Sequence, residues 1–227
     1  MQCHNFNEDW TFEKADQADR LKAFYGNSNA VAVTLPHDAM IREKRDKDCP
    51  SGAQSGFYPG GVYTYEKKFM AQNEWKKHDV FLEFEGIARV WINGALAAVN
   101  RNGYMGFSVD LKPWISYEHE NIIRIDVDNS KQPNSRWYSG SGIYRDVNLW
   151  TGKDVYISHD KLRITTLSVN DDMAVIEVCA QLKNIIGHGL EAECLIEIKK
   201  DGQKTASDTQ RVVFRSEQMQ TVRVQIP

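Results

Sequence analysis

The sequence predicts an all-β protein built from sandwiches of antiparallel sheets, and three observations support this. Apolar and polar residues alternate with a period of two, most clearly in residues 80–85, 123–128 and 221–226. Such alternation buries one face of a strand and exposes the other. Asn93-Gly94 separates two strand-like runs and predicts a hairpin turn, because both residues tolerate a positive φ. No segment of ten or more residues has helical periodicity, so sheets packed face to face are the simplest architecture.

Composition excludes several functional classes. The 227 residues include 28 Lys and Arg against 31 Asp and Glu, a net charge of −3, so there is no basic excess for binding nucleic acid. No apolar run approaches the roughly 20 residues of a membrane helix, so no membrane partner is expected. The absence of a visible leader favours the cytoplasm, although a periplasmic or secreted location stays open. The scattered cysteines fit neither a zinc site nor a disulfide scaffold: Cys3, Cys49, Cys179 and Cys194.

A domain boundary is predicted near residue 152, because all six tryptophans precede it. Residues 1–152 are expected to form one domain and residues 153–227 a smaller sandwich of immunoglobulin type. In the smaller domain, residues 155–158 and 162–168 have the pattern of separate strands. An immunoglobulin sandwich needs about seven strands, whereas five or six are visible before the sequence stops. We therefore expect the second sandwich to be incomplete and the chain to be part of a longer protein.

Motifs for several common chemistries are missing. Two glycine-rich runs, 55–61 and 139–142, precede strand-like residues rather than a helix, which predicts crowded loops rather than phosphate-binding loops. No histidine pair has the spacing of a zinc-hydrolase helix, and no serine lies in a Gly-x-Ser-x-Gly elbow. His37-Asp38 could form an acid–base pair, but a locally hydrogen-bonded loop histidine is the commoner case. We expect no cofactor and no metal site.

Residues 126–150 are the richest in groups that bind ligands. Amides, carboxylates, a guanidinium and two aromatic rings lie on one loop between two strands. Neutral sugars are held by polar groups on their hydroxyls and by an aromatic face against the ring. Composition alone equally allows Trp137 and Tyr138 to plug the end of a sandwich while Arg136 pairs with a nearby acid.

Four motifs together resemble the N-terminal portion of glycoside hydrolase family 2 enzymes, the β-galactosidase, β-glucuronidase and β-mannosidase group. They are Asn-Phe-Asn-Glu-Asp-Trp-Thr-Phe at 5–12, Leu-Pro-His-Asp at 35–38, Gly-Phe-Tyr-Pro-Gly-Gly-Val-Tyr-Thr-Tyr at 56–65 and Ser-Arg-Trp-Tyr-Ser-Gly-Ser-Gly-Ile-Tyr-Arg-Asp-Val at 135–147. The second and third are most similar to the bacterial β-galactosidase branch. The resemblance implies a jelly-roll, galactose-binding-like β-sandwich, then an immunoglobulin-like β-sandwich, then a TIM barrel that is missing here.

The resemblance also implies that the catalytic residues lie outside this chain. A retaining glycosidase uses two carboxyl groups about 5–5.5 Å apart, and in the family both are barrel glutamates, one of which follows an asparagine. Asn7-Glu8 and Asn73-Glu74 mimic that dipeptide, but neither follows a barrel strand, where barrel enzymes place their catalysts. Glu83 and Glu85 share the polar face of one strand and are expected to be solvated. The chain alone is therefore predicted to be inactive.

What the resemblance leaves to this chain is a supporting role. A loop of the first domain would approach the barrel mouth and contribute to the sugar subsite. The substrate-binding candidates are Asp128, Asn129, Arg136 and Trp137. Asp128 and Asn129 would bind hydroxyls, Arg136 would do the same or hold a barrel carboxylate, and Trp137 would form a wall.

The predicted partners are the protein's own C-terminal barrel and the β-glycoside substrate of the full-length enzyme, with a homo-oligomer as a further option. Tyr144 and Arg145 are expected to lock the two sandwiches or the barrel interface. Two other functions stay open. A stand-alone carbohydrate-binding module is favoured by the six tryptophans, and a structural sandwich protein would make the loop polarity incidental.

Overall fold

The computed structural model of the protein describes residues 1–14, 30–86, 88–131, 138–215 and 219–226. Its regular structure in these ranges consists of β-strands and three 3-10 helices, Met40–Arg42, Gly52–Ser55 and Asn73–Lys77, without any α-helix. The all-β prediction is therefore confirmed. None of these helices in the described ranges could span a lipid bilayer.

The chain divides into two compact units. The larger unit comprises residues 3–76 and 80–149, and the smaller comprises residues 1–2, 77–79 and 150–227. The first twelve strands are β1 Gln2–Asn5, β2 Trp10–Lys14, β3 Val31–Val33, β4 His37–Asp38, β5 Val62–Met70, β6 Asp79–Glu85, β7 Ala88–Ile92, β8 Ala95–Asn100, β9 Gly106–Asp110, β10 Glu120–Asp128, β11 Gly142–Ile143 and β12 Asn148–Gly152. They form a sheet of order β1-β12-β6-β9, a sheet of order β3-β2-β5-β10-β7-β8, and a two-stranded ladder of β4 and β11.

The core of the larger unit follows from the period-two alternation. Leu82 of β6 is fully buried, and its two neighbours along the strand are not. Ile123 and Ile125 of β10 are also fully buried, whereas Arg124 between them is exposed. Trp10 is also fully buried, and its indole N–H donates to the carbonyl of Phe6 at 2.8 Å. Burying a large apolar side chain contributes about 1.5–3 kcal/mol, so the alternating strands account for the packing of two sheets against each other.

The hairpin predicted at Asn93-Gly94 is confirmed. Strands β7 and β8 pair antiparallel, and the two turn residues have φ values of 50° and 84°. The Asn93 side chain also ties the turn to its neighbours, because its Nδ2 donates to the Asn121 Oδ1 atom and its Oδ1 accepts from the Ile122 N–H, both at 2.9 Å. One asparagine therefore shapes the turn and attaches it to β10.

Beyond the end of β12, the described residues of the smaller unit form five strands, β13 Val155–Val169, β14 Ala174–Asn184, β15 Leu190–Lys200, β16 Gln203–Phe214 and β17 Met219–Ile226. They form a sheet of order β13-β14-β17 and a sheet of β15 and β16. Cys194 is buried in the core between the two sheets, as expected for a small apolar side chain. Residues 155–169 form one strand rather than the two predicted, because both halves pair with β14 on either side of an irregularity between Ile157 and Leu162.

Replacing Asn93 tests the two contributions of the turn separately. We expect Asn93→Ala to lower the free energy of unfolding by about 2–3 kcal/mol, because the Ile122 N–H loses its acceptor and alanine is strained at positive φ. Asn93→Gly loses the same hydrogen bonds but accepts the backbone conformation, so its loss should be about 1 kcal/mol smaller. Urea denaturation measures both variants, and equal losses would contradict strain at residue 93.

Candidate functional site

A cavity of about 480 Å³ lies in the larger unit where β10 ends. This volume falls within the range of about 300–1,000 Å³ that is typical of small-molecule sites. Its described wall combines acidic and amide side chains, tyrosine rings and glycine backbone: Asp38, Gly86, Gly103, Tyr104, Val127, Asp128, Asn129, Tyr138, Ser139, Gly140, Gly142 and Tyr144. Two of the predicted substrate-binding residues, Asp128 and Asn129, are therefore brought together at one cavity.

Asp128 is the last residue of β10, and the strand's alternation places it on the face opposite Ile125 and Val127. Its Oδ1 accepts hydrogen bonds from the Ser130 hydroxyl at 2.6 Å and from the Ser130 backbone N–H at 3.1 Å. The Ser130 hydroxyl lowers the pKa of the Asp128 carboxyl, outweighing the opposing effect of partial burial, and Arg89 acts in the same direction. Asp128 is therefore a carboxylate at neutral pH.

Asn129 closes the base of the loop that follows β10. Its Nδ2 donates to the Ser141 hydroxyl at 2.6 Å and to the Ser139 carbonyl at 3.2 Å, and its backbone N–H donates to the carbonyl of Gly61 at 2.9 Å. The amide nitrogen of Asn129 is thus bonded within the protein, where the sequence analysis expected contacts to sugar hydroxyls. The other two candidates, Arg136 and Trp137, lie outside the described residues.

Asp38 is a wall residue that the sequence analysis did not select. Its Oδ1 accepts from the backbone N–H groups of Met40 at 3.0 Å and Ser141 at 3.1 Å, and its Oδ2 accepts from the Tyr138 hydroxyl at 2.7 Å. Partial burial raises the pKa of Tyr138, and the hydrogen bond to Asp38 acts in the same direction, so the hydroxyl remains a donor. The Pro-His-Asp motif was the available signal, but it does not reveal a partner about a hundred residues away.

His37 and Asp38 do not act as the acid–base pair that the sequence left open. The His37 ring is buried, and its Nδ1 lies 2.9 Å from the Tyr65 hydroxyl. The ring also packs against Phe12, with centroids 4.8 Å apart. The expectation of a loop histidine with a local hydrogen bond is therefore wrong, because His37 lies in strand β4 and its partner Tyr65 is 28 residues away in the chain.

Two glycines allow the cavity wall to approach β4. Gly142 pairs with Asp38 and has a φ of 141°, and a Cβ at this position would collide with the carbonyl oxygen of His37 and the hydroxyl of Tyr65. A Cβ on Gly140 would lie 2.5 Å from the Asp38 Oδ2 atom. The run 139–142 is thus a crowded loop, as predicted, and no other residue type fits these two positions without displacing the wall.

Tyrosine rings line the mouth of the cavity. Tyr104, Tyr138 and Tyr144 are all exposed, Tyr104 at 72%. The Tyr144 hydroxyl donates to the carbonyl of Gly103 and lies 3.2 Å from Glu85 Oε1. Glu85, expected to be simply solvated, therefore helps to hold an aromatic ring at the rim. Exposed rings beside carboxylates suit a sugar, which has apolar ring faces and many hydroxyls.

No group of three or more His, Cys, Asp and Glu side chains is placed to hold a metal ion in the described parts of the chain. The residues that line the cavity offer hydrogen-bonding groups and aromatic surface.

Comparison with known proteins identifies the family. The model of the glycosyl hydrolase 2 galactose-binding domain-like family matches residues 10–157, and the chain belongs to this family. The predicted galactose-binding-like sandwich at the N-terminus is thereby confirmed, and the all-β fold is consistent with the N-terminal sandwich domains of glycoside hydrolase family 2.

Individual relatives include enzymes named for different sugars. The β-galactosidase BoGH2A of Bacteroides ovatus is 35% identical over 183 residues, covering 79% of this chain and 22% of the relative. A putative β-glucuronidase of Formosa agariphila is 28% identical over 182 residues, covering 79% of this chain and 18% of the relative. A family 2 glycosyl hydrolase structure from Bacteroides cellulosilyticus matches with a TM-score of 0.86 and 25% identity, covering 100% of this chain and 30% of that one. The chain thus spans about a fifth of the length of these curated relatives.

Burial makes His37 sensitive to acid. Desolvation lowers the pKa of the ring from its ordinary 6.5, Arg42 lowers it further, and Asp38 opposes them. The Nε2 atom is buried without a hydrogen-bond partner among the described residues, so protonation would leave a charged N–H unsatisfied. Because the folded state favours the neutral ring, the stability that it contributes is present above pH 6.5 and is lost as the pH falls through the folded-state pKa.

We therefore expect the free energy of unfolding to decrease between pH 7.5 and pH 5, and to decrease less in the variant His37→Asn. Asparagine retains an acceptor for the Tyr65 hydroxyl but does not titrate in this range. Urea titrations at each pH measure the difference, with His188→Asn as the control because His188 is exposed. Identical pH slopes for the natural protein and His37→Asn would contradict a destabilising protonation at His37.

Proposed function

We propose that this chain is the N-terminal part of a retaining exo-β-glycosidase, and that the sugar released is galactose. In this proposal residues 1–152 are a jelly-roll domain that contributes to the sugar subsite, and residues 153–227 belong to an incomplete immunoglobulin-like sandwich. A C-terminal TIM barrel supplies the catalytic glutamates, and the two sandwiches brace that barrel. Membership in glycoside hydrolase family 2 supports the reaction class.

The observation that carries the choice of sugar is the charge of the cavity wall. Asp38 and Asp128 contribute carboxylates, the tyrosines contribute hydroxyls, and none of the described wall residues is Lys or Arg. A glucuronide brings its own carboxylate, which two like charges would repel, whereas a galactoside brings only hydroxyls that can donate to them. The wall therefore favours a neutral sugar.

We assign the subsite roles as follows. Asp128 accepts hydrogen bonds from sugar hydroxyls, and Asn129 adds polar surface while holding the loop closed through Ser141. Arg136 binds a hydroxyl or a barrel carboxylate, and Trp137 forms a wall against the sugar ring, both by resemblance to the family. Arg145, whose Nε lies 3.9 Å from Glu85 Oε2, is outside the described cavity wall and is assigned to the interface with the barrel.

The 227-residue chain alone should not hydrolyse 4-nitrophenyl β-galactoside above the blank rate, because the two carboxyl groups of a retaining mechanism come from the barrel. Release of nitrophenolate measures this directly, and turnover that survives repurification would contradict the proposal that the catalytic residues lie in the barrel.

The exposed tyrosines favour one other function, a stand-alone carbohydrate-binding module. Titration of the chain with galactose separates the two, since a dissociation constant well below millimolar would favour the module.

In the complete protein, Asp128→Asn should lower kcat/KM for 4-nitrophenyl β-galactoside by about 10-fold or more, the usual cost of losing a charged hydrogen bond. Asp110→Asn is the matched control, because Asp110 also ends a strand and accepts a hydrogen bond from the backbone two residues on, at 3.0 Å from the Lys112 nitrogen, but lies outside the cavity wall. Equal kinetics for the two variants would remove Asp128 from the subsite. A faster reaction with the glucuronide than with the galactoside would refute galactose as the sugar released and would leave the proposed role of the chain unchanged.

A further inference from the structure

Tyr104 has the most exposed ring in the described wall of the cavity. It is 72% exposed, against 36% for Tyr138 and 37% for Tyr144. It lies in the short loop between β8 and β9. A single exposed aromatic side chain is ordinary on a protein surface, so its place at a cavity is informative only because the loop holds the residue in a fixed position, as its hydrogen bonds show.

The side chains of two asparagines fix this loop. Asn100, the last residue of β8, donates from its Nδ2 to the carbonyls of Gly86 at 2.9 Å and Asn102 at 3.0 Å, and its Oδ1 accepts from the Asn102 N–H at 3.2 Å. Asn102 in turn accepts at its Oδ1 from the Tyr104 N–H at 2.9 Å. Asparagine side chains that bond to the backbone two residues on stabilise tight turns. The backbone of Tyr104 is therefore held in place by its own loop.

A further hydrogen bond attaches the loop to the segment that follows β11. The Tyr144 hydroxyl donates to the carbonyl of Gly103, directly before Tyr104. Partial burial raises the pKa of the Tyr144 phenol, and the neighbouring Glu85 acts in the same direction, so the hydroxyl stays protonated and remains a donor. Because the loop is already ordered, a ligand that packs against the Tyr104 ring does not have to immobilise it. The tyrosine side chain itself loses little conformational entropy, since it has few rotatable bonds.

The cavity wall has a polar part and an aromatic part. Asp38 and Asp128 are half-buried hydrogen-bond acceptors, whereas the Tyr104 ring lies mostly in solvent at the mouth. A cavity of about 480 Å³ belongs to the class that encloses drug-sized ligands, and one sugar ring, with about a dozen non-hydrogen atoms, is smaller than these. The cavity therefore has room for a sugar at the carboxylates and for a second ring towards the mouth.

We propose that Tyr104 stacks on the leaving group of the substrate, the part that departs when the glycosidic bond breaks, and selects leaving groups that present a flat apolar face. An aromatic ring and the apolar face of a second pyranose both have this chemistry. The inference rests on the proposed function, in which Asp128 holds the hydroxyls of the galactose. A ring at the mouth then meets the other side of the bond, because the bond joins the galactose to the group outside its subsite.

A retaining mechanism makes this role separable from a structural one. The leaving group departs in the first step, when the glycosyl-enzyme forms, and water then hydrolyses that covalent intermediate. A ring that contacts only the leaving group therefore affects the first step and not the second. Damage to the wall would instead disturb the sugar, which is present in both steps.

The variant Tyr104→Ala in the complete protein tests this with two substrates. It should lower kcat/KM for 4-nitrophenyl β-galactoside by about 3- to 10-fold, the usual contribution of an aromatic contact. It should change kcat/KM for methyl β-galactoside by less than about 2-fold, because methanol has no face for stacking. Tyr104→Phe keeps the ring and should match the parent protein with both. Met105→Ala is the matched control and should also match it, because Met105 is 62% exposed on the same loop but lies outside the described cavity wall.

Equal losses with both substrates, or no loss with either, would overturn the inference. The hydrolysis rate of the glycosyl-enzyme is a second readout and should be the same in Tyr104→Ala as in the parent protein; a slower rate would show damage to the sugar subsite and would also overturn it. If the complete protein prefers another sugar, the same two leaving groups on that sugar give the same test. A complete protein that hydrolyses no glycoside would refute the proposed function and the inference with it, whereas equal losses refute the inference alone.

Discussion

The close approach of β11 to β4 is the constraint on which the cavity depends. Gly142 lies against the carbonyl of His37, where a Cβ would not fit, and this contact brings Ser141 within 3.1 Å of the Asp38 carboxylate. The same carboxylate holds Tyr138 at the rim. Asn129 then joins the two ends of the intervening loop. The wall is therefore assembled from chain segments about a hundred residues apart, and its shape follows from backbone contact before any side chain meets a ligand.

Local features of this fold could be predicted from the sequence, and long-range features could not. The Asn93-Gly94 hairpin and the alternation in β6 and β10 depend on neighbouring residues, which a sequence displays directly. The ladder of β4 and β11 has two residues in each strand, too few for any periodicity. For that reason Asp38 was not recognised as a wall residue. Glu85 was assigned to a solvated face from the alternation of its strand, which does not reveal a hydrogen bond to Tyr144, 59 residues away in the chain.

The site predictions divided in a similar way. Asp128 was selected for its carboxylate, and the structure places it at the cavity with its charge stabilised by Ser130. Asn129 was selected for its amide, but an amide serves equally well for bonding within a protein, and its nitrogen bonds to Ser139 and Ser141. Residue type thus led to two residues that line the cavity, without separating ligand-binding groups from loop-holding groups. Only geometry makes that distinction, because both tasks require the same hydrogen-bonding atoms.

Each unit has a feature that its described residues leave incomplete. In the larger unit, the cavity offers carboxylates and aromatic rings that can hold a sugar. Asp128 is ionised through Ser130, and Asp38 accepts hydrogen bonds from Ser141 and Tyr138. A retaining glycosidase needs one carboxyl group that is protonated and one that is a nucleophile, and the lowered pKa of Asp128 acts against the protonated role at that residue. In the smaller unit, Ile164 is turned to the core side of its sheet and remains in water. The first feature is one of acid–base chemistry and the second is one of apolar burial, so the two are physically independent.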